Sequence, residues 1–471
     1  METYPKIIQG GMGIYISSPH LARTVSMLGQ QGTVSGVTLE RILVRILQHG
    51  DLDGHMRRAL SHFPFPHIAE EVVNAFYVEG GISKGKTIKG IPFFSLYPPD
   101  ILIKTVICAN FAFVWLAKEG HSNPVSINYL EKVSMPHIYA ITGAMLAGVD
   151  IITMGAGIPI KIPGVIDAIS KWETVSYPIP VLGKDGKTFS VQMYFDPGAF
   201  LGKKPFEIMK PKFIPIISSN LLVTLFLTKL PSGSVHGFVV EEPIAGGHNA
   251  PPRRVLYDDL GQALPSYGDK DKVDYAKLAD KAIPFWIGGG YASPERLEWA
   301  FSLGAMGIQT GSIFALSDDS GMHPEIRRRM RQRAFNKSLI VKTDMRASPT
   351  GYPFKVAQLD DTVSNHDVYE SRNRVCSQGG LIELYEKRDD SVGYRCAAEP
   401  IDKFVAKGGD LADTVGRKCL CNGLLAAAGL NDVKEPAIVT IGDDLSFLTH
   451  LMKHENDSYT AADAIRYLLG M

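Results

Sequence analysis

Phe285-Trp286-Ile287-Gly288-Gly289-Gly290-Tyr291-Ala292-Ser293-Pro294-Glu295-Arg296-Leu297 is the stretch that decides the fold. A short apolar run ends in three glycines, and a Ser-Pro pair then opens a helical pattern. Serine is a favoured helix N-cap, and proline at the first helical position gives up an N–H that would be unsatisfied anyway. The stretch reads as strand, turn and helix. Ser18-Pro19, ahead of His20-Leu21-Ala22-Arg23, repeats the same start signal near the N-terminus.

Outward from this unit, apolar runs alternate with helical patterns at 6–9, 32–35, 125–129, 150–154, 213–217, 237–241, 284–287 and 307–310. Alternation of this kind builds a parallel sheet, and eight strands close a (β/α)8 TIM barrel. We therefore expect an α/β barrel over residues 1–315, with two insertions. One covers residues 50–98 and contains Gly80-Gly81 and Gly85. The other covers 175–211, where Gly183-Lys184-Asp185-Gly186-Lys187 between alternating segments signals a hairpin. Residues 316–471 lose the strand–helix rhythm and read as a helical or irregular C-terminal extension.

Of 471 residues, 49 are Lys or Arg and 49 are Asp or Glu, so no net field favours nucleic acid or an acidic membrane as partner. The dense basic run Arg327-Arg328-Arg329-Met330-Arg331-Gln332-Arg333 reads as a solvated helix face or a phosphate contact. The N-terminus lacks a basic segment followed by an apolar one, so a cytoplasmic protein is expected. The apolar stretch 105–117 is broken by Asn110 and falls short of the ~20 residues of a bilayer span. It reads as a buried helix.

Several strand ends are rich in glycine: Gln9-Gly10-Gly11-Met12, Gly155-Ala156-Gly157, Gly288-Gly289-Gly290 and Gln309-Thr310-Gly311. Turns after strands 7 and 8 are the recurring phosphate site of a barrel, because backbone N–H groups can approach an anion there. Glycines after strands 1 and 4 leave room for a flat ring. After strand 6 comes Glu241-Glu242-Pro243-Ile244-Ala245-Gly246-Gly247-His248, which delivers one imidazole to the same rim as an acid, a base or a ligand.

In combination these motifs resemble the nitronate monooxygenase (2-nitropropane dioxygenase) family and its relatives, the flavin-dependent enoyl-acyl-carrier-protein reductases. The resemblance spans about residues 5–315 and implies an FMN-binding barrel. It implies phosphate contacts at Gly289, Gly290, Gln309, Thr310 and Gly311. Gly11, Met12, Asn128 and Gly155 would flank the ring or ribityl chain, with Ser218 and Gly247 as further cofactor contacts. His248 matches the catalytic histidine, which either removes a proton from a nitroalkane or stabilises a nitronate. The implied reaction is oxidation of an alkyl nitronate or similar anionic carbon acid by dioxygen, as a monooxygenase. The rival is an NAD(P)H-dependent flavin reductase acting on an enoyl thioester or quinone, or a flavin-binding subunit of a larger complex. Pro243-Ile244, the insertion near residues 50–98 and the C-terminal 130 or so residues depart from the family pattern, and homo-oligomerisation stays open.

Five cysteines argue against a secreted disulfide framework. No cysteine lies between residues 109 and 375, which disfavours a dehydrogenase with a cysteine nucleophile on the barrel rim. Cys376, Cys396, Cys419 and Cys421 cluster late in the chain at irregular spacing. Two readings stand: buried reduced thiols, or a four-cysteine site for zinc or an iron–sulfur cluster.

Overall fold

The computed structural model describes residues 4–83, 86–257, 263–431 and 434–471; Gly85 lies outside them. All eight expected strands form: Ile7–Gln9, Gly32–Ser35, Val125–Leu130, Ile151–Gly155, Lys212–Ile217, Phe238–Glu241, Phe285–Gly288 and Gly307–Thr310. Every pairing between consecutive barrel strands from the second to the eighth is parallel, and the first pairs in parallel with the eighth. The ring closes between strands 1 and 2 through residues just before the second strand. There Gln9 N–H donates to the Gln31 carbonyl at 2.9 Å and Gln31 N–H to the Ile7 carbonyl at 3.0 Å. The chain is a (β/α)8 barrel.

Successive strand residues point to opposite faces, and the packing shows it. Ile8, Ile151, Ile214, Val239 and Trp286 form their own small apolar cluster, which we assign to the barrel interior. Their neighbours Ile7, Ile152, Phe213, Val240, Phe285 and Ile287 join the large core beneath the helices. Both Ser-Pro starts cap helices as expected: Ser18 accepts from the Leu21 N–H and Ser293 from the Arg296 N–H. The apolar run becomes helix Asp100–Lys118, long and apolar enough to cross a membrane, but 78% of its best window is buried in the protein.

The first insertion holds helices His55–Leu60 and Pro66–Phe76. The second is the expected hairpin, Val175–Leu182 against Thr188–Phe195. The extension is more ordered than its pattern implied. It contains the strand pairs Val341–Asp344 with Phe354–Ala357 and Glu383–Glu386 with Val392–Arg395. The second pair joins the insertion hairpin in one four-stranded sheet, where Tyr385 pairs with Leu182. Its helices Leu448–Leu451 and Ala461–Leu468 pack into the large barrel core.

The basic run lies on helix Pro324–Phe335 and is neutralised from within. Arg331 pairs with Asp318 at 2.7 Å, Arg328 with Glu325 at 2.6 Å and Arg329 with Asp361 at 2.9 Å.

Candidate active site

The glycine-rich strand ends meet around one cavity at the barrel mouth, which encloses about 1680 Å³ including its opening. Gly11, Met12, Asn128, Gly155, Gly247, His248, Gly289, Gly290, Gln309, Thr310 and Gly311 all line it. Ser218 does not. The chain leaves the fifth strand at Ile217 and starts a helix capped by Ser219, which carries Ser218 to a neighbouring cavity with Asn249, Arg253 and Tyr267.

The turn after strand 7 has a shape that only glycine tolerates without strain. Gly290 has φ +75°, and a Cβ there would lie 2.2 Å from Ile244 Cδ1. Gly11 is closed by a different neighbour, because its Cβ would lie 2.3 Å from Asn128 Cβ. Beside these glycines the Thr310 hydroxyl, on a residue only 4% exposed, has no hydrogen-bond partner among the described residues. A buried orphan hydroxyl in a glycine-lined cavity wants a ligand atom. Among the described residues no lysine or arginine lines this cavity, so an anion would rely on backbone N–H groups and hydroxyls.

His248 sits in a loop pinned from the extension. Gly247 N–H donates to Thr440 Oγ1 at 2.7 Å, Lys355 N–H to the Gly247 carbonyl at 3.0 Å, and Asn249 N–H to the Pro353 carbonyl at 3.0 Å. The ring packs edge-on against Phe354, with centroids 4.9 Å apart, and its Nε2 lies 2.7 Å from Ser348 Oγ. Burial, reinforced by the positive charge of Lys132, pushes the imidazole pKa down to about 3. His248 is therefore neutral at every ordinary pH.

Lys132 and Glu241 are the nearby charged pair. Burial lowers the lysine to about 7, with Glu241 opposing, and raises the glutamate to about 7, with Lys132 opposing. Lys132 Nζ makes no hydrogen bond and lies 3.3 Å from the centroid of the Tyr352 ring. It faces a second cavity of about 880 Å³, which shares Thr38, Val133 and Gly380 with the first.

Ser348, Phe354, Thr440, Lys132 and Glu241 were not among the expected site residues. Glu241 and Lys132 were legible as residues at strand ends. The first three were not, since nothing local ties Ser348 to an imidazole 100 positions earlier.

The four late cysteines gather, but not as a metal centre. Cys396 and Cys419 pack with Ala398, Ile382 and Cys421. Among the described residues no group of three or more His, Cys, Asp or Glu side chains is arranged to hold a metal ion. Burial raises all four thiols, Cys421 to about 11. Cys396 and Cys419 are buried, and Cys376 and Cys421 half-buried.

No family model and no curated protein matches this chain. Among solved structures, FabK from Thermotoga maritima shares 16% identity at a TM-score of 0.47, covering 100% of this chain and 93% of that one. The enoyl reductase domain of MlnA from the macrolactin cluster of Bacillus amyloliquefaciens shares 12% at 0.48, covering 98% and 93%. Nitroalkane oxidase from Streptomyces ansochromogenes shares 11% at 0.44, covering 99% and 95%.

Proposed function

We propose that this chain is a flavin-dependent oxidoreductase that holds FMN in the barrel mouth and reduces a carbon–carbon double bond conjugated to a carbonyl, with NAD(P)H as the source of electrons. The observation that carries this reading is a neutral, half-buried His248 in the wall of the same cavity as the glycine turns and the orphan Thr310 hydroxyl.

FMN, when bound, supplies two-electron transfer. The chain supplies the rest. Backbone N–H groups at Gly289, Gly290 and Gly311, with the Thr310 hydroxyl, would hold the phosphate. The strand ends at Gly11 and Gly155, with Met12 and Asn128, would border a planar ring in this cavity. His248 would exchange a proton with the reactant beside it. The extension, which contributes Phe354, Leu420, Thr440 and Ile441 to the wall, keeps bulk water from that exchange.

Oxidation of an alkyl nitronate is the second reading, in which a neutral His248 would take up the proton of the nitroalkane as a base and the nearby charge of Lys132 would oppose that of the nitronate. A carbonyl-conjugated alkene is neutral and needs a hydrogen-bond donor instead. Anaerobic mixing with NADH or NADPH tests the choice. Rapid bleaching of the flavin band, restored by a 2-enoyl thioester or a quinone, supports the reductase. Oxygen uptake with propyl nitronate and no bleaching by either nucleotide would overturn it.

A further inference from the structure

The imidazole of His248 is engaged through one nitrogen only: among the described residues Nε2 alone has a partner, Ser348 Oγ at 2.7 Å. Ser348 is fully buried and has two further neighbours, both from Thr350. Thr350 N–H donates to Ser348 Oγ at 3.3 Å, and the two hydroxyl oxygens lie 2.8 Å apart. Thr350 itself is half-buried.

Counting hydrogens leaves this chain two directions. A serine hydroxyl has one hydrogen to donate and two lone pairs. In the first, the Thr350 hydroxyl donates to Ser348, both Ser348 lone pairs are filled by the Thr350 O–H and N–H, and the single Ser348 hydrogen goes to Nε2. Nε2 is then bare and the ring proton sits on Nδ1, which has no partner among the described residues and is free to meet a reactant. In the second, Nε2–H donates to Ser348 and Ser348 to Thr350, and the spare donor is the hydroxyl of the half-buried Thr350.

We propose that Thr350, Ser348 and His248 form a proton relay that carries a proton from solvent to the reactant, with Nδ1–H as the donor to it. This deepens, and rests on, the reductase reading above. His248 Nδ1–H gives its proton to the reactant as the carbon beside the carbonyl gains it. Nε2 takes the Ser348 hydroxyl proton, Ser348 takes that of Thr350, and Thr350 is replenished by water. The ring remains neutral throughout, in keeping with its burial. After product leaves, Nδ1 takes a proton from solvent, and the Nε2 proton returns along the hydroxyls. The net transfer is one proton from water to product. His248 is the catalytic residue, whereas Ser348 and Thr350 are positioning residues that act through it. The relay also gives the extension a task in the chemistry, because both hydroxyls lie outside the barrel sequence.

The test uses the FMN-loaded protein and three variants. Ser348→Ala removes the middle hydroxyl, and Thr350→Val removes the outer one without touching the ring. We expect kcat to fall about 100-fold and about 10-fold, within or near the usual range for acid–base groups. KM and flavin content should change less than about 2-fold, since neither hydroxyl is asked to bind reactant or cofactor. A solvent-isotope proton inventory should be curved in the parent protein and linear in Ser348→Ala, and Ser348→Cys should restore part of the rate. Nitrogen-15 NMR of the His248 ring should show Nδ1 protonated and Nε2 bare. A protonated Nε2, or turnover within about 2-fold of the parent in both Ser348→Ala and Thr350→Val, would sink the relay. The NMR signal is read without turnover, so a protein that binds no flavin would overturn the function above and leave the tautomer to be judged on its own.

Discussion

The Gly247 amide donates to Thr440 Oγ1 across 2.7 Å, which ties the histidine loop to a residue almost two hundred positions later. Gly247 has φ +84°, so the loop is held in a conformation that few other residues adopt. Thr440→Val keeps the shape of the side chain and removes the acceptor, leaving a backbone N–H unpaired at a cost of about 1–3 kcal/mol. The expected result is a lower urea midpoint and a reduced kcat with FMN stoichiometry intact, read by denaturation and by flavin absorbance.

Gly290 lies in the turn proposed above to hold the cofactor phosphate, against Ile244 of the histidine loop. Gly290→Ala combines a left-handed backbone with a methyl 2.2 Å from Ile244 Cδ1. Ile244 or the turn must give way around a residue strained at this positive φ, and FMN affinity should fall by about 10-fold, on the order of 1.4 kcal/mol. Fluorescence titration of the apoprotein with FMN measures it, and unchanged affinity would remove this turn from the cofactor site.

Stability should respond to acid through buried imidazoles. Burial lowers both His248 and His137 to about 3. Their unfolded value is about 6.5, so between these limits the unfolded chain binds more protons than the folded one. The contribution is complete above pH 6.5 and is lost progressively as pH falls toward 3. His248→Asn should therefore lose less stability than the parent between pH 7 and pH 5, as judged from urea midpoints at the two values. An equal or greater loss would mean that the imidazole is not buried as described.

Arg372 and Glu435 form an ion pair inside the extension at 3.3 Å, with side chains 4% and 1% exposed. The guanidinium also donates to the carbonyls of Tyr369 and Arg417. Glu435→Leu leaves a buried cation without its carboxylate, which typically costs about 3–5 kcal/mol. Thermal unfolding should show a clear drop, together with a loosened histidine loop if the extension unfolds first.

The barrel was legible because its signals are local. Strand runs, glycine ends and Ser-Pro caps lie within a dozen residues of one another, so all eight strands were found with their ends shifted by a residue at most. The cavity wall was legible for the same reason, since a barrel brings every strand end to one rim. Ser218 was misplaced because the exact exit from the fifth strand depends on the cap at Ser219. The extension resisted reading because its strands are four residues long and pair partly with a hairpin some two hundred positions earlier, which no local pattern reports. The late clustering of four cysteines left a metal site open beside buried thiols for a related reason: sequence shows how many thiols there are, not whether their sulfurs point at one centre.

What the sequence determined by itself was the repeating unit, the rim on which the glycines gather and the presence of His248 on it, all consequences of short-range periodicity and turn chemistry. Only the tertiary structure decided the state of that histidine. Its neutrality comes from burial under Phe354 and from the nearby charge of Lys132. Its orientation comes from a hydroxyl on Ser348. Desolvation and hydrogen bonding depend on which atoms surround the ring, and those atoms arrive from distant parts of the chain once it has folded.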